Sequence, residues 1–227
     1  MTPNFVPMSK SILLAGATGL VGSACLHLLL ADERVGKVVA LVRRPLDLRH
    51  PKLEQWITPN ADLLQGLKPV LVDAVICCLG TTIKIAGSQP AFIAVDKDLP
   101  LGIAKWAKAQ GTPTYCIISA IGADPGSRVF YSRVKGEVEQ ELDAMHFGSL
   151  NIFQPSILTG PRKEKRFGER TGIGVMNAVG PLLFGPLAKY RAMPHDVLAM
   201  ALVNTALTPE PGTRRYTYSE ILREAGA

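Results

Sequence analysis

Tyr131 and Lys135 stand four residues apart in the run Tyr131-Ser132-Arg133-Val134-Lys135. In a helix that spacing puts both side chains on one face. A free phenol titrates near about 10, too high for easy proton exchange at neutral pH. A neighbouring ammonium favours the phenolate, so such a phenol can give a proton to an oxygen or take one back. Ser119 ends an apolar run a little earlier, and its hydroxyl is a candidate hydrogen-bond partner for the same oxygen. Alone, this Tyr/Lys spacing is common on solvated helices. Its meaning depends on the elements that carry it.

A second cluster lies near the start, in Gly16-Ala17-Thr18-Gly19-Leu20-Val21-Gly22. It joins an apolar run, Ser11 to Ala15, to a segment of helical spacing, Leu20 to Ala31. Glycines there let backbone approach a pyrophosphate, while the helix N-terminus offers unpaired N–H groups and the positive end of its dipole. A strand before the turn and a helix after it mark a dinucleotide site. Sites selective for NAD place an acidic side chain at the end of the second strand, where it holds the ribose 2′-hydroxyl. This chain has Leu41-Val42-Arg43-Arg44 there, and the nearest acid is Asp47. Guanidiniums bind a 2′-phosphate through charge-assisted, often bidentate contacts. The expected cofactor is therefore NADP(H) rather than NAD(H), with Arg43 the first candidate for the phosphate and Arg44 the second.

The elements that must position these residues alternate short apolar runs with helical periodicity, the pattern of βαβ units and a parallel sheet. Strands are expected at Ser11–Ala15, Lys37–Val42, Leu53–Thr58, Ala74–Leu79, Thr114–Ser119 and Leu150–Phe153. Helices are expected at Leu20–Ala31 (core side Leu20, Ala24, Leu28, Ala31), at Phe92–Gln110 with Pro100 as a kink, and at Val129–Phe147. The last carries Val134, Val138, Leu142 and Met145 as its core stripe, and Ala61–Leu67 reads as a short helix or turn. After Pro155 glycine and proline become frequent and Gly168–Gly185 reads as irregular or loosely helical. A helix at His195–Leu207, a short strand at Arg214–Tyr218 and a small helix capped by Ser219 close the chain. The fold class is α/β, a Rossmann-type doubly wound parallel sheet in one domain. Residues 155–227 are expected as a small substrate-side region over the carboxyl edge of the sheet.

The bulk composition fits. With 47% apolar and 19% charged residues, 227 residues can bury a substantial core. No apolar run is long enough for a membrane span. Met1 to Ser9 does not read as a signal peptide, and a cytoplasmic protein is expected. The four cysteines lack metal or CxxC spacing and read as buried free thiols. The net charge of +6 comes largely from Arg43-Arg44 and a run from Arg162 through Lys163, Lys165, Arg166 and Arg170, the latter a lid or a solvated loop. No basic helix with interleaved aromatics points to nucleic acid. His27, His50, His146 and His195 show no ligand spacing, so no metal is expected. Trp56 and Trp106 read as packing residues, and Asp96 as a helix-terminus charge or as a residue that orients the active-site region.

Three segments carry a family resemblance: Cys77-Cys78-Leu79-Gly80-Thr81-Thr82, Ser119-Ala120-Ile121-Gly122-Ala123-Asp124, and Tyr131 through Glu139. The chain resembles the Tat-interacting-protein branch of the atypical short-chain dehydrogenases and its bacterial NAD(P)-binding relatives. The resemblance implies a bound NADPH and a catalytic set on Ser119, Tyr131 and Lys135. It implies cofactor contacts at Leu79, Gly80, Thr81 and Thr82 and along the segment holding Pro155 and Ile157. The chain departs from the family in having Ala120 in place of a second serine, Thr58-Pro59 in place of an Asp near the adenine (Asp62 being the substitute), and Gln154 in place of an arginine. Two functions follow as expectations: an oxidoreductase acting on an unknown small carbonyl or alcohol, or a cofactor-sensing regulator working through a protein partner. A homodimer is the fold-level expectation for assembly.

Overall fold

The structure, a computed structural model, describes residues 9–58, 63–160 and 189–227. Seven strands form one parallel sheet in the order β3-β2-β1-β4-β5-β6-β9. They are β1 (Lys10–Ala15), β2 (Val35–Val42), β3 (Leu53–Ile57), β4 (Ala74–Cys77), β5 (Thr114–Ile118), β6 (Ser149–Phe153) and β9 (Gly212–Tyr216). The order reverses at β1, which pairs with β2 on one side and β4 on the other. At that reversal the loops leaving the carboxyl ends of β1 and β4 part in opposite directions and open a crevice. This is a Rossmann α/β fold.

Period-two alternation sorts β1 between two cores. Ile12 and Leu14 face helix α1 (Leu20–Ala31) and helix α6 (His195–Leu207). Leu13 and Ala15 face helix α4 (Leu99–Ala109) and helix α5 (Phe130–Asp143). Cover on both faces explains why the strands read as continuous apolar runs.

Several expectations change in detail. The buried side of α1 carries Val21, Cys25, Leu26, Leu29 and Leu30, while the expected stripe is only partly buried or exposed. This helix is apolar nearly all round, so its sequence could not choose a face; α6, packed along it, does. The long helix expected at Phe92–Gln110 is α3 (Gln89–Ile93), a π-helical turn over Ala94–Asp98, and α4. Pro100 lacks the N–H that would bond back to residue 96, so the α-helical ladder is interrupted just before it. A helix missed in the sequence, α2 (Ile83–Ala86), is capped by Thr82. Helix α5 ends at Asp143, and His146 adopts a left-handed φ of 51° that turns the chain toward β6. The closing helix α7 (Tyr218–Ala225) is capped by Thr217, not Ser219, in a reciprocal box with Glu220.

The chain after Pro155 is not confined to the carboxyl edge. A two-residue pair, β7 (Leu158–Thr159) with β8 (Met193–Pro194), lies outside the main sheet. Beyond it α6 buries Leu198, Ala199, Leu202 and Val203, and β9 adds a parallel edge strand to β6. An almost wholly apolar helix needs cover on two sides, which the sheet with α1 and the amphipathic α7 supply. The basic run Arg162–Arg170, the segment Gly168–Gly185, Pro59 and Asp62 lie outside the described residues.

Candidate active site

The turn between β1 and α1 is built around two glycines whose missing side chains make room for backbone. Gly16 has φ +87°, and a Cβ there would meet the Cys78 carbonyl carbon and oxygen at 2.7 Å. A Cβ on Gly22 would lie 2.1 Å from the Gly16 carbonyl oxygen. Neither glycine lines the cleft; both let the turn fold tightly against β4 and against the first turn of α1. Gly19 is the N-cap of α1, without a side-chain cap bond and without an acid in the first turn. The N-terminal donors of α1 are therefore left for a ligand.

That turn opens into a cleft of about 870 Å³. Of the expected residues it is lined by Thr18, Gly19, Leu20 and Val21 from the turn, by Leu79, Gly80 and Thr81 after β4, and by Ser119, Tyr131 and Lys135. Pro155, Ile157 and Arg44 complete the wall, whereas Arg43 and Thr82 do not reach it. Arg43, the first candidate for the phosphate, thus stands off the cleft, and Arg44, the second, lines it. Both are exposed at the bend after β2, and Arg44 is the one turned to the cleft. Thr82 accepts a hydrogen bond from the Ile85 N–H at 3.2 Å as the cap of α2.

Lys135 is buried, and its ammonium lies 2.8 Å from Oδ1 of Asp96, itself only 1% exposed. The other Asp96 oxygen accepts the Thr81 N–H at 2.8 Å. Burial by itself pulls the Lys135 ammonium down, but Asp96 and then Tyr131 outweigh it, and the net shift is upward. Asp96 sits in the π-helical turn, and its carboxylate ties the α5 lysine to the loop after β4. The sequence leaves Asp96 open between a helix-terminus charge and a residue that orients the site, and the structure gives it the Lys135 ammonium. Pro100, expected as a kink, interrupts the ladder four residues earlier, at Asp96. Tyr131 is 39% exposed, its ring packed on Phe92 at 5.7 Å. Gly136 allows α5 to lie this close to the loop from β5, since a Cβ would meet Asp124 and Pro125 backbone at 2.2 Å.

Ser119 reaches the cleft with its proton already committed. Its hydroxyl donates to Oε1 of Glu139 at 2.5 Å. The buried Glu139 carboxylate also accepts from Gln154 Nε2 at 2.9 and 3.0 Å and from Arg215 Nε at 3.1 Å. What Ser119 turns to the cleft is lone pairs. Gln154, which departs from the family arginine, belongs to this network, as does Arg215 on β9, which also pairs with Asp143. A Glu139→Gln change would put an amide NH2 among groups that already donate. The expected loss is about 1–3 kcal/mol, the cost of a buried unpaired donor. Urea unfolding measures it, and an unchanged midpoint would show that the network does not stabilise the fold.

Cys25, Cys77 and Cys116 are buried free thiols, while Cys78 is half-buried and lines the cleft. Trp56 and Trp106 pack edge to face at 6.1 Å. Among the described residues, no three His, Cys, Asp or Glu side chains come together as a metal site, and no helix is long and apolar enough to cross a membrane.

No protein-family model matches the chain. It is similar to Protein HTATIP2 of Rattus norvegicus, 31% identical over 220 residues, covering 92% of this chain and 86% of that protein. It is 32% identical over 212 residues to "Protein FMP52, mitochondrial" of Eremothecium gossypii, covering 92% and 95%. Among solved structures it resembles MoeE5 in complex with UDP-glucose and NAD, with TM-score 0.66, 16% identity and coverage of 94% and 80%. It also resembles a putative NAD-dependent epimerase/dehydratase from Bacillus halodurans, with TM-score 0.65, 16% identity and coverage of 96% and 99%. These structural likenesses establish the fold. The fungal relatives overturn the expectation of a cytoplasmic protein, because they are named as mitochondrial. With this identity along nearly its whole length, the chain belongs to the HTATIP2/FMP52 family of atypical short-chain dehydrogenase-like proteins.

Proposed function

We propose that this chain is an NADP(H)-dependent oxidoreductase acting on a small carbonyl/alcohol pair. The observation that carries this reading is that one cleft holds the uncapped N-terminus of α1, Arg44, and the Tyr131/Lys135 pair. Gly19, Leu20 and Val21 would hold the pyrophosphate, Arg44 the 2′-phosphate, and Lys135 the nicotinamide ribose. The cofactor, when bound, supplies or accepts the hydride. Tyr131 then gives a proton to the substrate oxygen or takes it back, with the Lys135 charge beside it. Ser119 contributes an acceptor, so donation to a carbonyl oxygen falls to Tyr131. Asp96 holds Lys135 in place.

A titration tests the cofactor half. Wild-type protein is expected to bind NADPH more tightly than NADH, and Arg44→Ala to lose roughly ten- to hundredfold in NADPH affinity with little change for NADH, as fits a lost charge-assisted pair. Equal affinities in the wild type would defeat the NADP(H) reading. The second reading is a cofactor-responsive regulator with little turnover. It is favoured by the use of α6, β9 and α7 to complete the sheet, which leaves a short stretch of chain to shape a substrate pocket.

A further inference from the structure

Arg44 is exposed, and an exposed arginine selects a phosphate only if its backbone is held before the ligand arrives; otherwise the ordering cost cancels the contact. The segment from Arg43 to Pro51 has no helix or strand of its own. Its far end is fixed at His50, whose carbonyl accepts the Leu53 N–H at 2.9 Å, and its Leu46–Leu48 part, next to Arg44, is held by the side chain of Gln55 on β3. The Gln55 carbonyl accepts the Leu46 N–H at 2.7 Å, and its amide nitrogen donates to the Leu46 carbonyl at 3.4 Å and the Leu48 carbonyl at 3.2 Å. Both ends of the carboxamide are used, so it pairs with the loop much as another strand would. Leu46 and Leu48 also pack on the core at this face, but apolar contact does not set register along the chain. On the other side of Arg44, β2 ends at Val42. Between that anchor and the clamp at Leu46 only Arg43, Arg44 and Pro45 remain. Pro45 fixes its own φ and keeps Arg44 out of the α region.

We infer that Gln55 is a specificity-determining residue: it presets the loop that aims Arg44, and so it governs discrimination between NADPH and NADH without touching either. The inference rests on the proposed role of Arg44 and deepens it. A purely structural glutamine would affect both dinucleotides alike, because they share the pyrophosphate, ribose and nicotinamide contacts.

The test is a titration of wild type, Gln55→Met, Pro45→Ala and Arg44→Ala with NADPH and with NADH, following reduced-nicotinamide fluorescence, with thermal unfolding of each variant alongside. Methionine keeps the length and apolar stem of Gln55 and removes all three loop bonds. Gln55→Met is expected to weaken NADPH roughly three- to tenfold while NADH stays within about twofold. Pro45→Ala is expected to move the ratio the same way, and it decides the matter if Gln55→Met does not fold. If both variants weaken the two dinucleotides equally, or neither, Gln55 does not set selectivity and the inference is wrong. If Arg44→Ala leaves the ratio unchanged, the Arg44 reading itself is wrong and the inference falls with it. The first result leaves Arg44 standing and the second does not.

Discussion

Asp96→Ala is expected to destabilise the protein by about 3–5 kcal/mol, because it leaves the Lys135 ammonium buried without its partner. A domain of this size is stable by only about 5–15 kcal/mol, so the loss takes a large share of the total. Asp96 is 1% exposed and its carboxylate is 2.8 Å from the buried ammonium, so its removal strips the charge of its partner. The same change removes the acceptor of the Thr81 N–H, so the loop after β4 loosens as well. Asp96→Asn separates the two effects, keeping an oxygen for Thr81 and dropping the charge.

The pH dependence follows with a definite sign. In the wild type the folded-state pKa of Lys135 is raised above its ordinary value of 10.5, as Asp96 and Tyr131 overcome burial. The stability it contributes is fully present below that ordinary value and is lost as the pH climbs through the raised one. In Asp96→Asn burial acts with much less opposition and disfavours the ammonium. The loss of stability with rising pH that Lys135 causes in the wild type is then expected to shrink or reverse in Asp96→Asn, because a folded-state pKa brought down toward or below 10.5 leaves the unfolded chain binding as many protons or more. Thermal unfolding of both proteins between neutral pH and the alkaline limit measures this. Superimposable profiles would mean that the ion pair contributes nothing to folding.

Tyr131→Phe is expected to lower kcat by about 10²–10⁴-fold with any carbonyl substrate found for the wild type, the usual worth of a positioned acid. Stability should barely change. The ring keeps its contact with Phe92, and the hydroxyl bonds to no other described residue. NADPH affinity should hold within a small factor, because the proposed phosphate contacts lie on the α1 turn and at Arg44. This combination distinguishes the two functional readings. A catalytic tyrosine gives folded, cofactor-binding, inactive protein. A protein whose turnover survives the change uses another proton donor, and one without turnover in the wild type belongs to the regulatory reading.

The parts of the protein legible in the sequence are those set by neighbours along the chain. The glycine turn, the period-two strands and the Tyr131/Lys135 spacing depend on one or two turns of backbone, and β1, β2, β5 and β6 were found within a few residues of their ends. The bend at Arg43–Arg44 was legible for the same reason, since a strand that ends must turn. What the sequence left open was decided by contacts between distant segments. Which arginine faces the cleft depends on a loop held by Gln55, nine residues beyond Leu46. Which side of α1 is buried depends on α6, near the other end of the chain. The proton of Ser119 goes to Glu139 because α5 passes beside β5, and Arg215 joins them because β9 pairs with β6. Asp96 became the partner of Lys135 through a π-turn made beside Pro100. The sequence by itself determined the order of elements and the residue types able to do chemistry. Only the tertiary structure decided their partners, because a buried charge or hydroxyl must be satisfied by whatever group packing brings within about 3 Å, however far away it lies in the chain.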